Sequence, residues 1–212
     1  MKLTFLGTRG YIEARSRHHR MHSSLMVSYQ GKKVMIDCGE DWLGAVYDLH
    51  PRAIVLTHAH PDHAGGLKGE APCPVYAIRV SWEKLKDYGI EKRVTIPERK
   101  AVTIAGITFQ AFPVDHSTRA PAVGYRISAG KVTIFYAPDL VWIHDRTAAL
   151  SGVKVYIGDA ATISKSLVRK MEGNLIGHTF LRTQLTWCQK EGVPRAIFTH
   201  LGAEIVEGDE RS

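Results

Sequence analysis

The stretch Ala53-Ile-Val-Leu-Thr-His-Ala-His-Pro-Asp-His-Ala-Gly-Gly66 decides how this chain is read. An apolar, β-branched run ends at Thr57, and His58, His60, Asp62 and His63 follow in one short loop. A short apolar run bounded by polar residues reads as a buried strand. Three imidazoles and a carboxylate crowded beyond a strand's end are a donor set suited to a borderline divalent cation such as zinc. His58 and His60 stand two apart, so in an extended segment both side chains point the same way. Asp62 and His63 are adjacent, so their side chains diverge and can serve a second ion. Gly65 and Gly66 allow the backbone to approach closely beneath the loop.

One loop cannot complete two coordination shells, and the chain offers further donors just beyond apolar runs. His116 follows the run 107–112, Asp139 follows 132–136, and His200 follows 196–198. Asp139 suits a bridge between two ions, because a carboxylate has two oxygens and an imidazole only one free lone pair.

The rest of the composition is that of an ordinary globular protein. The 212 residues are 44% hydrophobic and 23% charged, and 28 Lys+Arg against 21 Asp+Glu leave a formal net charge of +7. Eleven His is the unusual number, about twice ordinary usage. No run approaches the length of a membrane-spanning helix, and the opening residues break into Gly and Arg too early for a signal peptide. Cys38, Cys73 and Cys188 lie far apart and form no Cys-x-x-Cys pair, which favours a reducing, cytoplasmic setting. No repeat or linker interrupts the chain, so residues 1–212 are expected to form a single domain.

Strand-like runs fall at 2–6, 25–29, 33–36, 53–56, 75–77, 93–96, 107–112, 122–127, 132–136, 153–157 and 196–198. Gln30-Gly31 and Ala129-Gly130 mark hairpins. Helices are expected at 42–49, after His63, at 81–88, at 164–171 and at 180–190, the last with Thr179 as N-cap and Gly192 at its end. Hairpins with helices between them suggest two sheets packed face to face with helices outside.

The chain resembles the metallo-β-lactamase fold superfamily, whose signature is His-x-His-x-Asp-His followed by a distant His, Asp and His. The match runs from Phe5-Leu-Gly-Thr through Met35-Ile-Asp-Cys-Gly and the loop above to Phe198-Thr-His. The resemblance implies an α/β (α+β) fold, an αββα four-layer sandwich of two mixed β-sheets flanked by helices, with a site for two divalent metal ions. Those ions are usually zinc, and manganese or iron are also accepted by such donors. Carried over, His58, His60 and His116 hold the first ion, Asp62, His63 and His200 the second, and Asp139 bridges. The β-lactamases of this fold use a Cys ligand, and no Cys stands at a ligand position here. The oxygen-reducing diiron branch has Glu where this chain has His60.

Two features are similar to ribonuclease Z and its phosphodiesterase relatives. One is the opening Phe5-Leu-Gly-Thr with a loop ending at Ser23-Ser24-Leu25; the other is His178-Thr179 ahead of the last helix. In that branch a His at this place, outside the metal donors, contacts the scissile phosphate and protonates the leaving group. His178 takes that role here, and Asp62 counts as catalytic as well as ligating. Asp37, in Ile-Asp-Cys-Gly, is expected to orient a ligand imidazole, and Asp159 is a second candidate for the same task. The loop 9–22 carries Arg9, Arg15, Arg17, Arg20 and His22 against one acid, Glu13. A flexible cationic loop of this kind can grip phosphate oxygens. The expected chemistry is attack on a phosphodiester by a metal-activated hydroxide. The long Gly- and Pro-rich arm that ribonuclease Z inserts before the next ligand His is missing between His63 and His116, so a cyclic nucleotide or short oligonucleotide fits as well as RNA. Two other readings remain open: a glyoxalase-II-like thioester or lactone hydrolase, and a non-catalytic metal- or nucleic-acid-binding module. A homodimer is common in the superfamily, and no membrane contact is expected.

Overall fold

Residues facing alternate sides of the central strands are apolar on both sides, and this dictates the layering. In a strand successive side chains point to opposite faces, and a strand covered on both faces reads as an unbroken apolar run. Leu25, Val27, Val34, Ile36 and Val55 enter one cluster, while their neighbours Met26, Met35 and Ile54 enter another. Ile134 and Tyr136 likewise join the first cluster and Phe135 a third.

The computed structural model describes residues 1–209; the expected single domain also takes in 210–212, which lie outside the described residues. In chain order the strands are β1 (Lys2–Gly7), β2 (Ser24–Tyr29), β3 (Lys32–Ile36), β4 (Ala53–Val55), β5 (Val75–Ala77), β6 (Arg93–Thr95), β7 (Ala101–Ile104) and β8 (Ile107–Asp115). They continue as β9 (Ala122–Ala129), β10 (Val132–Tyr136), β11 (Trp142–Ile143), β12 (Val155–Asp159), β13 (Arg169–Met171), β14 (Asn174–Ile176) and β15 (Ala196–Thr199). The helices are α1 (Val46–Leu49), α2 (Pro61–Ala64), α3 (Arg79–Lys84), α4 (Arg146–Leu150), α5 (Leu181–Lys190) and α6 (Ala203–Asp209).

One sheet has the order β1-β2-β3-β4-β5-β6, antiparallel up to β3 and parallel beyond it. The other has the order β11-β8-β9-β10-β12-β15, with β7 on β8, and its β10-β12-β15 part is parallel. The cluster of Leu25, Phe109, Tyr125 and Ile157 draws on both sheets and forms the core between them. Trp42 and Val46 pack on the outer face of the first sheet, and Leu150, Trp187 and Cys188 on that of the second. The result is the expected αββα sandwich of two mixed sheets. Among the described residues no helix is long and apolar enough to cross a membrane.

Three expectations need correction. Residues 164–171 are not a helix: β13 pairs with β14 in a separate two-stranded sheet. Glu172 (φ 50°) and Gly173 (φ 84°) both adopt left-handed backbone between the paired residues Met171 and Asn174, which is the geometry of a tight two-residue hairpin. Phe180, not Thr179, occupies the N-cap of α5. The segment 42–49 divides into a 3₁₀ turn at Glu40–Trp42 and the single turn α1.

Candidate metal centre

Every predicted ligand lies at or just beyond the C-terminal end of a strand. β4 leads into the loop with His58 and His60 and into α2 with Asp62 and His63; β8 ends one residue before His116, β10 leads to Asp139, and β15 leads to His200. Parallel pairing of β3-β4-β5 and of β10-β12-β15 brings such ends to a common edge. Beneath them, a Cβ added to Gly66 would sit 2.6 Å from the Gly39 carbonyl and 2.8 Å from Cys38 Sγ, so only glycine lets the loop settle there.

The predicted ligands gather in two groups, and Asp139 and His200 also meet Asp159 and His178 in a third. His58, His60 and His116 form one, and Asp62, His63, Asp139 and His200 the other; within each group one donor atom per residue lies within 4.8 Å of all the rest. His58 Nε2 and His116 Nε2 lie 3.0 and 3.2 Å from His60 Nδ1. The remaining nitrogens of two rings are taken: His58 Nδ1 is 3.0 Å from Thr57 Oγ1, and His116 Nδ1 is 3.1 Å from the Gly177 carbonyl. Those contacts put the ring proton on Nδ1 and leave Nε2 as a lone pair facing the centre. In the second group, Asp139 Oδ2 is 2.6 Å from His63 Nε2 and 3.5 Å from His58 Nε2, and its Oδ1 is 2.8 Å from His200 Nδ1. Asp139 therefore faces both groups. Asp62 Oδ2 is 3.1 Å from His63 Nε2 and 3.1 Å from His200 Nε2.

Electrostatics separates the two groups. Burial, reinforced by neighbouring imidazoles, holds His58 well below the usual imidazole pKa; burial lowers His60 also, and takes His116 to about 4. All three are thus neutral lone-pair donors at neutral pH. Burial opposes charge on His63 and His200 too, but the Asp62 and Asp139 carboxylates prevail, raising His63 well above its ordinary value and His200 to about 10. Burial likewise works against ionisation of Asp62 and Asp139, and the surrounding imidazoles hold both well below the usual carboxylate range. Without a cation, then, protons neutralise this group; a divalent cation displaces them. His63 Nε2, Asp139 Oδ1 and His200 Nδ1 are buried, and none of their short ion-pair contacts has hydrogen-bond geometry. Buried polar atoms in that state are rare, and three converging at one point fit a pair of divalent metal ions held by these residues.

Two further carboxylates orient imidazoles. Asp37 is fully buried and accepts from the Thr57 backbone N–H at 2.8 Å and from His63 Nδ1 at 2.9 Å. Burial pushes the Asp37 carboxyl up, against the pull of His63. Asp159 turns instead to His178, whose Nδ1 lies 2.7 Å from Asp159 Oδ2. Gln184 clamps the Asp159 backbone, accepting from its N–H at 2.9 Å and donating to its carbonyl at 2.7 Å. His178 ring centroids stand 5.0 Å from His116 and 5.5 Å from His200. With Nδ1 committed to Asp159, its Nε2 is left for the cleft. Burial opposes charge on His178, but Asp159 and then Asp139 raise its pKa above the ordinary value.

The basic loop departs from the reading given above. Arg9 is only 2% exposed: it reaches Asp41 Oδ2 at 2.5 Å, His22 Nε2 at 2.9 Å and the Arg20 carbonyl at 3.1 Å. His22 is buried as well, which together with the Arg9 charge lowers its pKa to about 4. Gly10 N–H donates to the Leu201 carbonyl and Leu201 N–H to the Thr8 carbonyl. Arg9 and His22 thus strap this loop beside His200, and with Arg15 and Asp41 they line a cavity of about 500 Å³. Arg15 is exposed and pairs with Asp41 Oδ1 at 2.9 Å, and Arg17 and Arg20 are exposed.

Two cations absent from the sequence reading share a cavity with His178 and His200. A cavity of about 390 Å³ is lined by His178, His200, Lys165 and Arg169. The signal available for them was their place between Asp159 and His178 in the chain.

Two mixed sheets between helices, with buried His/Asp donors for divalent cations along one edge, define the class of protein. The chain belongs to the β-lactamase superfamily domain family, which it matches over residues 32–201. It is similar to ribonuclease Z of Methanopyrus kandleri, 29% identical over 153 residues that cover 61% of this chain and 51% of that one. It is also similar to ribonuclease Z of Bradyrhizobium diazoefficiens, 33% identical over 138 residues, with coverage of 62% and 43%. The chain thus spans about half the length of these curated relatives. Among solved structures, the metallo-β-lactamase fold protein YhfI of Bacillus subtilis superposes with a TM-score of 0.78 at 17% identity, covering 99% of this chain and 89% of that one.

Proposed function

We propose that the chain is a dinuclear-metal-dependent hydrolase of phosphodiesters, a ribonuclease-Z-like phosphodiesterase of one domain acting in the cytoplasm. The observation that carries this reading is His178. It is an imidazole outside the two donor groups, held by Asp159 at 2.7 Å and lining an open cavity with His200. A thioester needs no such proton donor, because a thiolate is a weakly basic leaving group, whereas the alkoxide leaving from a nucleotide is strongly basic. The ribonuclease Z relatives support the same substrate class.

In this reading His58, His60 and His116 would hold one ion, Asp62, His63 and His200 the other, with Asp139 shared between them. Zinc, manganese or iron held there would lower the pKa of bound water and neutralise phosphoryl charge. Asp62 orients the attacking water beside its two imidazole partners. The water gives one proton to solvent, its oxygen adds to phosphorus as the bond to the leaving oxygen breaks, and His178 Nε2 delivers the proton the leaving oxygen needs. Asp159 keeps the His178 ring oriented and charged until that transfer. The substrate is a cyclic nucleotide, a short oligonucleotide or RNA; a homodimer is compatible with this chemistry and plays no part in it.

The test is a panel of bis(p-nitrophenyl) phosphate, a glutathione thioester and a lactone, with zinc- or manganese-loaded protein. Metal-dependent turnover of the phosphodiester is the expected result. Turnover of the thioester or lactone alone would overturn the reading.

A further inference from the structure

The hairpin β13–β14 belongs to neither large sheet, yet its base is tied to the metal centre. Gly177 N–H donates to the His116 carbonyl at 2.8 Å, and the Gly177 carbonyl accepts from His116 Nδ1 at 3.1 Å. The segment leading into the hairpin and its first strand line the cavity that holds His178 and His200, through Leu167 and Arg169. Its second strand lines another cavity, of about 320 Å³, that holds His116, through Asn174 and Leu175. One donor of each group thus opens onto a cavity beside the hairpin, His200 onto the first and His116 onto the second.

The charge on the first side is unbalanced. Lys165 and Arg169 are exposed and share the cavity wall with one acid, Glu204, whose carboxyl the Lys165 charge helps to lower, so two cations stand against one carboxylate. Glu204, the acid on the same wall, is already engaged: it accepts from the Ser164 hydroxyl at 2.7 Å and from the Ser164 backbone N–H at 3.3 Å. The scissile phosphate is neutralised by the metal centre, so these two cations call for a further anion. A guanidinium fork matches phosphate oxygens in geometry, and an ammonium adds a point charge. Leu175 (43% exposed) and Leu167 (36% exposed) add apolar surface on either flank, which suits the faces of nucleobases.

The geometry points to a binding site for a second phosphate, formed by Lys165 and Arg169 beside His178, and to a substrate that is an oligonucleotide whose neighbouring phosphate occupies it. This rests on the phosphodiesterase reading. It places selectivity on the hairpin.

The experiment compares diadenylate with diadenylate carrying a terminal phosphate at its 5′ or its 3′ end, using metal-loaded protein and the double variant Lys165→Ser, Arg169→Ser. Both positions are exposed, so the variant retains the packed core. The wild type is expected to favour one phosphorylated substrate in kcat/KM by about tenfold, through KM, with the preference shrinking as salt rises. In the variant that ratio falls to near one. Equal kcat/KM for phosphorylated and unphosphorylated substrates in the wild type, or a ratio that survives in the variant, would overturn the second-phosphate site and leave the phosphodiesterase reading standing. Absence of any phosphodiester hydrolysis by the wild type brings down that reading and this inference with it.

Discussion

Replacing His178 with alanine is expected to lower kcat on diadenylate by about 10²–10³-fold, the usual worth of a positioned general acid, with metal content unchanged. The alkoxide leaving from a nucleotide is strongly basic and needs a proton as the bond breaks. A p-nitrophenolate does not, so the same variant should lose far less on bis(p-nitrophenyl) phosphate. That leaving-group split is what a merely structural His would not produce. The Asp159 partnership adds a pH signature. Burial disfavours the imidazolium of His178, and the Asp159 carboxylate 2.7 Å away is the foremost influence raising its pKa. An acid with a raised pKa keeps its proton to higher pH; Asp159→Asn therefore moves the basic limb of the kcat profile to lower pH. A limb that stays in place, or equal losses on the two substrates, would remove His178 from the reaction.

A larger loss is expected from His63→Ala: about 10³-fold or more in kcat/KM, equivalent to about 4 kcal/mol of transition-state stabilisation, with one of two bound ions gone. His63 holds three carboxylates together, with Asp139 at 2.6 Å, Asp62 at 3.1 Å and Asp37 at 2.9 Å. Its removal also leaves fully buried Asp37 without its imidazole partner. Breaking a buried pair costs about 3–5 kcal/mol, so a fall in thermal midpoint should accompany the loss. Asp62→Asn keeps the shape of the side chain and separates the two effects. It should lose the second ion and the activity while melting closer to the wild type. Full metal content and activity in both variants would contradict the donor assignment.

The metal loop was legible because its information is local. A strand end, three imidazoles and a carboxylate fall within 53–66, and strand alternation alone predicts which side chains share a side. The distant donors His116, Asp139 and His200 were legible for a related reason: each follows an apolar run, and parallel strands bring their ends to one edge. The inward turn of Arg9 and His22 was not legible, because nothing in a run of charges tells which ones turn inward. Their partner Asp41 lies on the far side of β2 and β3 in sequence, and only the folded chain brings it to them. The hairpin was misread because Leu167 and Met171 stand at helical spacing. Both are exposed, however, so no apolar face was there to reward a helix, and the left-handed pair Glu172-Gly173 closes a turn instead. Lys165 and Arg169 became visible as a site only once that hairpin carried them to His178.

The most direct measurement is titration of chelator-stripped protein with zinc or manganese, following bound metal and hydrolysis of bis(p-nitrophenyl) phosphate on the same samples. The account predicts saturation at two ions per chain, with hydrolysis appearing only as the second ion binds. Hydrolysis that persists in the stripped protein, or two ions bound with no phosphodiester turnover, would contradict it.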